Sequence, residues 1–356
     1  MIRAVIGAVL LSAFAAFWLS FRYWPVGAPA EQESILAREI GAPSRANLIG
    51  VEPYLTPYDY RSADALKGAL ARYLDDAKQR GWMTDKTIVI FPEHVGSWLA
   101  AMDAPAAAYA AKTTTGAMIA VAGGDPVSFL KAYFRSHETD RAAAAIFRMR
   151  SVAMAAAYTR VFGGLARDYD VTIVAGSIVL QAPSVANGVV VAGRGPLYSA
   201  GAVFGPDGRA AQSLVVKVHP IPSEAGFSSG GDGDLPVFET PAGRLGVLIC
   251  ADSWHPALYQ TLRDKGVDTI AAPAFLQPDG VWSKPWRGYV TPPPADLDTD
   301  DPGRLTEGEA WLKYALAGRL YASGAKAGLT AFLRGGLWDL GADGHAIARR
   351  GEMVTL

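Results

Sequence analysis

Gly246-Val-Leu-Ile-Cys250-Ala-Asp-Ser-Trp-His-Pro256 contains the single cysteine of a 356-residue chain. Leu245, Val247, Leu248 and Ile249 give Arg244 to Ile249 the aliphatic composition of a short buried strand. Ser253 offers an N-cap, Pro256 suits a first helical turn, Ala257 to Lys265 has helical composition and Gly266 is a natural stop. The thiol is therefore expected at a strand end, just before a helix start. Backbone N–H groups and the helix dipole there favour a thiolate, the form that attacks electrophiles. A buried, inert cysteine is the alternative reading.

Working outward, the same strand-then-reactive-residue pattern occurs twice more. Thr87 to Phe91 (TIVIF) runs into Pro92-Glu93-His94, and Lys217 lies within Ser213 to His219 (SLVVKVH). In α/β sheets, sites gather beyond the carboxyl ends of strands, so Glu93, Lys217 and Cys250 can converge on one rim. The elements between them alternate. Ser62 caps a helix running to Arg80, with Leu66, Leu70, Tyr73 and Ala77 on one face. Val171 to Gly176 and Asn187 to Ala192 read as strands, and Pro206-Asp-Gly208 and Pro241-Ala-Gly243 as hairpin signals. Glu307 to Ser323 reads as helix, Gly328 to Leu333 as strand, and Gly336 to Leu340 with His345 to Ala348 as a last hairpin. The body is thus α/β, with mixed sheets covered by helices.

Residues from about 100 to 150 differ in being rich in alanine. Asp125-Pro126 marks one helix start, and Asp140 to Phe162 a long helix. An ordinary helical excursion packed on the body is the simpler reading, since alanine favours helix without any special function. A lid or membrane-contacting element near the site is the other.

The amino terminus carries a different signal. Ala4 to Phe21 (AVIGAVLLSAFAAFWLSF) is uncharged and apolar, preceded by Arg3 and followed by Arg22, Tyr23 and Trp24. Its length of about 18 residues is near the lower limit for a spanning helix. Cation and aromatics suit a membrane interface. A single-span anchor over residues 1–24 is favoured over a signal peptide cleaved near Ala28-Pro-Ala30. Residues 25–46 then form a linker, with a short helix over Glu31 to Glu39, and 47–356 the body. Either reading most simply places that body outside the cytoplasm. The formal net charge of −1 gives no electrostatic case for nucleic acid. Neither structural zinc spacing nor a phosphate-cradling glycine motif occurs, so no metal or cofactor is expected.

Together, Phe91-Pro92-Glu93, Lys217-Val-His219 and Gly246-Val-Leu-Ile-Cys250-Ala-Asp252 resemble the motifs of the carbon–nitrogen hydrolase (nitrilase) superfamily. Ala175-Gly176-Ser177, Asp207-Gly208, Asp343-Gly344 and Asp268 to Pro273 support the resemblance, which extends from about Asn47 to the carboxyl terminus. It implies a four-layer α-β-β-α sandwich, usually paired into dimers. It implies Cys250 as nucleophile towards a small-molecule amide or nitrile, Glu93 as base and Lys217 as oxyanion stabiliser, with the backbone N–H of Ala251 as second donor. Glu224 resembles the family's second glutamate, orienting Lys217 or meeting the leaving group. Ala-Asp after the cysteine, rather than the Trp-Glu of many nitrilases, leans towards amides. The anchor resembles that of apolipoprotein N-acyltransferases, which carry several spans. Acyl transfer through the same site is therefore an alternative, and a catalytically silent binding protein another. His94, His219 and His255 lie near the motifs. They are expected to line the pocket, with Trp98, Tyr133, Phe275 and Trp282, rather than to form a Cys–His pair.

Overall fold

The computed structural model of the chain describes residues 44–290 and 292–355, together with 35–41, Ser12, Ala16 and Leu19. The apolar stretch 4–21 otherwise lies outside the described residues, among which no helix is long and apolar enough to cross a membrane. Residues 35–39, expected as helix, carry none.

Two sheets form the centre. In the first, Ala46–Gly50, Lys86–Ile90 and Thr172–Val174 run parallel in that order, and Val203–Phe204 adds an antiparallel edge. In the second, Gly243–Val247, Thr269–Ala274 and Ala327–Phe332 are parallel. Phe238–Thr240 flanks them on one side, and Ile347–Arg350 followed by Met353–Thr355 on the other, all antiparallel.

Period-two alternation decides which layer each side chain joins. Ile88 and Ile90 point towards the second sheet, into a core that also holds Leu245, Val247 and Ile270. Val89 and Phe91 point the other way, into a core with Leu66, Leu70 and Leu74. Those leucines line one face of α1 (Ala63–Gln79), which Ser62 caps by accepting the Ala65 N–H at 3.1 Å. Burying each contributes roughly 1.5–3 kcal/mol. Gly50 lets the sheets close: a Cβ there would sit 2.5 Å from Leu329 Cδ2. Helices Pro256–Asp264 and Leu316–Arg319 cover the outer face of the second sheet, completing the α-β-β-α order.

One of the three hairpin expectations needs correction. Pro241-Ala-Gly243 does join a paired hairpin. Around Pro206-Asp-Gly208 the chain likewise reverses on itself: Phe204 bridges Ala210, the Ala211 N–H donates to the Val203 carbonyl at 2.8 Å, and Val215–Val216 pairs antiparallel with Ala200 and Gly201, while Val203–Phe204 also joins the first sheet and Leu197–Gly201 also pairs with Ile178–Gln181. At the carboxyl end, Ile347–Arg350 pairs with Ala327–Phe332, and Gly336 to Leu340 is not a strand. Turn chemistry marks where the chain reverses, not which strand it then pairs with.

The alanine-rich region folds as α2 (Thr114–Gly124), α3 (Pro126–Arg135) and α4 (Arg141–Tyr158). Asp125 caps α3 by accepting the Ser128 N–H, and Asp140 caps α4 by accepting the Ala143 N–H. A π-turn at Thr159–Gly163 carries the helical run on to Tyr169.

Candidate active site

Cys250 follows the Gly243–Val247 strand at a sharp elbow, with φ of +50°. A non-glycine residue there is uncommon and costs about 1–3 kcal/mol, so the surrounding fold must hold it. The expected helix does not begin at the thiol. A 3₁₀ turn, Cys250–Trp254, intervenes before the helix Pro256–Asp264, and Ser253 is no N-cap: its hydroxyl donates to the Cys250 carbonyl at 2.7 Å. The expectation of a helix-favoured thiolate is corrected accordingly. Burial and the neighbouring Glu93 charge push the thiol well above its ordinary range, with Lys217 opposing only in part. The resting sulfur is therefore a thiol, in hydrogen-bonding reach of the Phe275 carbonyl at 3.7 Å.

Glu93 and His94 follow the Lys86–Ile90 strand, and His94 also has positive φ, +59°. Gly176 makes this turn possible, because a Cβ there would lie 1.9 Å from the Pro92 carbonyl oxygen. Beside it, Ser177 accepts the His94 backbone N–H at 2.9 Å. Lys217 is fixed through its backbone: its N–H donates to Ser199 O and its carbonyl accepts from Gly231 N, both at 2.9 Å.

These turns bring five side chains into one chain of contacts. Lys217 Nζ donates to Glu93 Oε1 at 2.8 Å and to Glu224 Oε2 at 2.5 Å. Glu224 Oε1 lies 2.7 Å from His94 Nε2, and His94 Nδ1 lies 2.9 Å from the Ser97 hydroxyl. Lys217 is fully buried and Glu93 and Glu224 nearly so. Burial opposes the lysine's charge, but the two carboxylates outweigh it and hold the ammonium well above its ordinary range. Burial likewise opposes the charge on Glu224, yet Lys217 and His94 keep its carboxyl far below the usual range. For His94, burial disfavours the imidazolium, and the Glu93 charge and Glu224 hydrogen bond reverse that, raising its pKa. Two carboxylates and one ammonium leave one negative charge over, which is why charge on His94 is favoured despite its burial.

Glu93, His94 and Glu224 also present donor atoms within 4.8 Å of one another, a spacing that suits a metal. The Lys217 ammonium already supplies the cation between the two carboxylates.

Glu93, His94, Glu224, Cys250 and Ala251 open onto one cavity of about 1220 Å³, as do Trp98 and Phe275. His219 and His255 do not line it. They stack at 3.5 Å behind the elbow, where the buried Asp252 accepts the backbone N–H groups of Val218 and His219 and lies 3.1 Å from His219 Nδ1. Asp252 thus ties the lysine segment to the cysteine turn, a role not read from the sequence although the residue stands two places after the cysteine. Tyr133 and Trp282 also lie elsewhere: Tyr133 packs on Phe129 and Phe134, and Trp282 on Phe332 and His345. The alanine-rich helices are more than an excursion, since α2 and α4 form part of the cavity wall.

A sequence profile described as Carbon-nitrogen hydrolase matches residues 55–289. A protein named "Nitrilase" from Pyrococcus abyssi is 38% identical over 80 residues, 22% of this chain and 30% of that protein's length. Among solved structures, a mutant of the amidase from Nesterenkonia sp. AN1, with the acetamide moiety of fluoroacetamide added to its active-site cysteine, is 15% identical with a TM-score of 0.50. The match covers 89% of this chain and 86% of that one. Nit3 of Saccharomyces cerevisiae, a member of branch 10 of the nitrilase superfamily, is 14% identical with a TM-score of 0.49, covering 88% and 86%. The profile spans well over half of the sequence and contains Glu93, Lys217 and Cys250: the chain belongs to the carbon–nitrogen hydrolase family.

Proposed function

We propose that the protein hydrolyses the C–N bond of a small-molecule amide through a thioester at Cys250. The observation that carries this is the buried contact of Lys217 with both Glu93 and Glu224, two residues that line the cavity that Cys250 enters. Because the resting sulfur is protonated, it needs a base at the moment of attack. Glu93 takes the thiol proton as sulfur bonds to the carbonyl carbon. The oxygen then carries negative charge, which the Lys217 ammonium and the backbone N–H of Ala251 offset. Removing one such donor typically costs roughly 10²–10³ in rate. Glu93 returns the proton to the nitrogen, the C–N bond breaks and the amine leaves. Water attacks the thioester, giving its proton to Glu93, and the carboxylic acid departs as the thiol is restored. Glu224 and His94 hold Lys217 and balance its surroundings.

The test is amide turnover with intact-mass readout. A single acyl adduct that disappears in Cys250→Ala together with activity supports the reading. Undiminished turnover in Cys250→Ala would sink it.

We further propose that Ala4 to Phe21 anchors the body to a membrane as a single span, with the catalytic part outside the cytoplasm. Resistance to alkaline carbonate extraction, lost on deletion of residues 1–24, is the expected result. Release of the full chain by carbonate would refute it.

A further inference from the structure

The cavity is larger than a short amide requires. At about 1220 Å³ it exceeds the roughly 300–1,000 Å³ of typical small-molecule pockets. Its lining is mostly apolar. Part of the wall is built by Ala117, Met118 and Val121 of α2 with Ala143, Ile146 and Phe147 of α4. The one charged group that these helices bring to it, Asp140, is engaged in capping α4. The segment 281–303 adds Val281, Trp286 and Tyr289 together with the charged Lys284 and Arg287, and Glu307 lies at the start of the helix that follows. The alanines explain the width: each keeps the helix while leaving unfilled the space a larger side chain would take.

Resting on the amidase reading, we infer that α2 and α4 form an acyl-chain subsite and that the substrate is the amide of an unbranched fatty acid. The occupant must be apolar, because this wall offers a chain contact without an ionic partner. It is assigned to the acyl part, because the departing amine becomes protonated and gains nothing from an apolar wall. The acyl group stays bonded to Cys250 through both steps, and a chain held along the insertion fixes its carbonyl against Lys217.

The experiment is a homologous series of primary amides from acetamide to decanamide, beside N-alkyl acetamides of equal length. Burial of each methylene predicts about a fourfold rise in kcat/KM, more than a hundredfold over four methylenes. Ala117→Trp should lower the decanamide-to-acetamide ratio of kcat/KM at least tenfold. Met118→Trp, at a half-buried position that tolerates a larger side chain, should do the same, with circular dichroism confirming both folds. A profile flat in acyl length while acetamide is still turned over overturns the subsite and leaves the amidase reading intact. So does a rise confined to the N-alkyl series, or an unchanged ratio in both folded variants. If no amide is turned over and no adduct forms on Cys250, the amidase reading fails and the subsite with it.

Discussion

Lys217 Nζ sits 2.8 Å from Glu93 Oε1, and neither side chain reaches solvent to any useful extent. Each depends on the other. An ammonium without its carboxylates, or a carboxylate without its ammonium, is an uncompensated charge in a desolvated site. Lys217→Met should therefore destabilise the fold by roughly 3–5 kcal/mol, as breaking a buried pair does. It should also cut amide turnover by at least about 10². Lys217→Arg should not restore activity, because a planar fork cannot replace a point donor between two carboxylates. Urea unfolding and single-turnover kinetics on the same samples check both; a Met variant of unaltered stability would contradict the pairing.

Burial first and the Glu93 charge second raise the Cys250 thiol's pKa, so the base proposed to activate the sulfur also helps keep it protonated at rest. Glu93→Gln separates the two effects. Turnover should fall by about 10²–10⁴ for loss of the base. The thiol should meanwhile ionise more readily, and the pH profile of iodoacetamide labelling at Cys250 should move towards lower pH. A profile moved upward, or not at all, would mean that the carboxylate does not act on the sulfur.

That Glu93, Lys217 and Cys250 come close together was legible because each follows a short aliphatic strand within three residues, and strand ends of an α/β body share a rim. Their supports were not. Asp252 acts through backbone groups of Val218 and His219, and Ser177 through the His94 backbone, contacts that no spacing encodes. Ser253 and Pro256 look like a helix start, yet the 3₁₀ turn at Cys250 uses the serine hydroxyl locally. The layer order was legible from the family motifs, whereas the partner of Val203–Phe204 was set by packing between distant strands. The alanine-rich segment revealed helices but no face, because alanine suits a buried wall and an exposed surface equally well.

His94 links the cluster to pH. Its folded pKa lies above the ordinary 6.5, since Glu93 and Glu224 outweigh the burial that opposes its charge. A raised folded pKa stabilises the protein fully below about pH 6.5, and that stability is lost as pH rises through the raised value. The urea midpoint of the wild type should accordingly decline as pH rises above about 6.5. In His94→Asn, which keeps a donor near Glu224 without a titrating group, this decline should flatten. A variant with the same slope as the wild type would assign the pH dependence to another group.

Glu52 makes a second, separable prediction, away from the catalytic cluster. Its carboxylate accepts the Phe332 N–H at 2.9 Å and so ties the end of the first sheet's edge strand to the second sheet. Burial raises its pKa from 4.5 to about 7, against the opposing hydrogen bond and the Arg334 charge. The sign is that of a group protonated more readily when folded. Its contribution is complete below pH 4.5 and is lost as pH rises through about 7. Gln keeps the acceptor and cannot ionise. With the remaining exposure discounted, Glu52→Gln should be more stable than the wild type by roughly 1–2 kcal/mol at pH 8. At pH 4.5 the two should nearly coincide, and amide turnover should be retained. Urea midpoints at the two pH values decide it: equal stability at pH 8 would show that the carboxylate is solvated enough to ionise freely between the sheets.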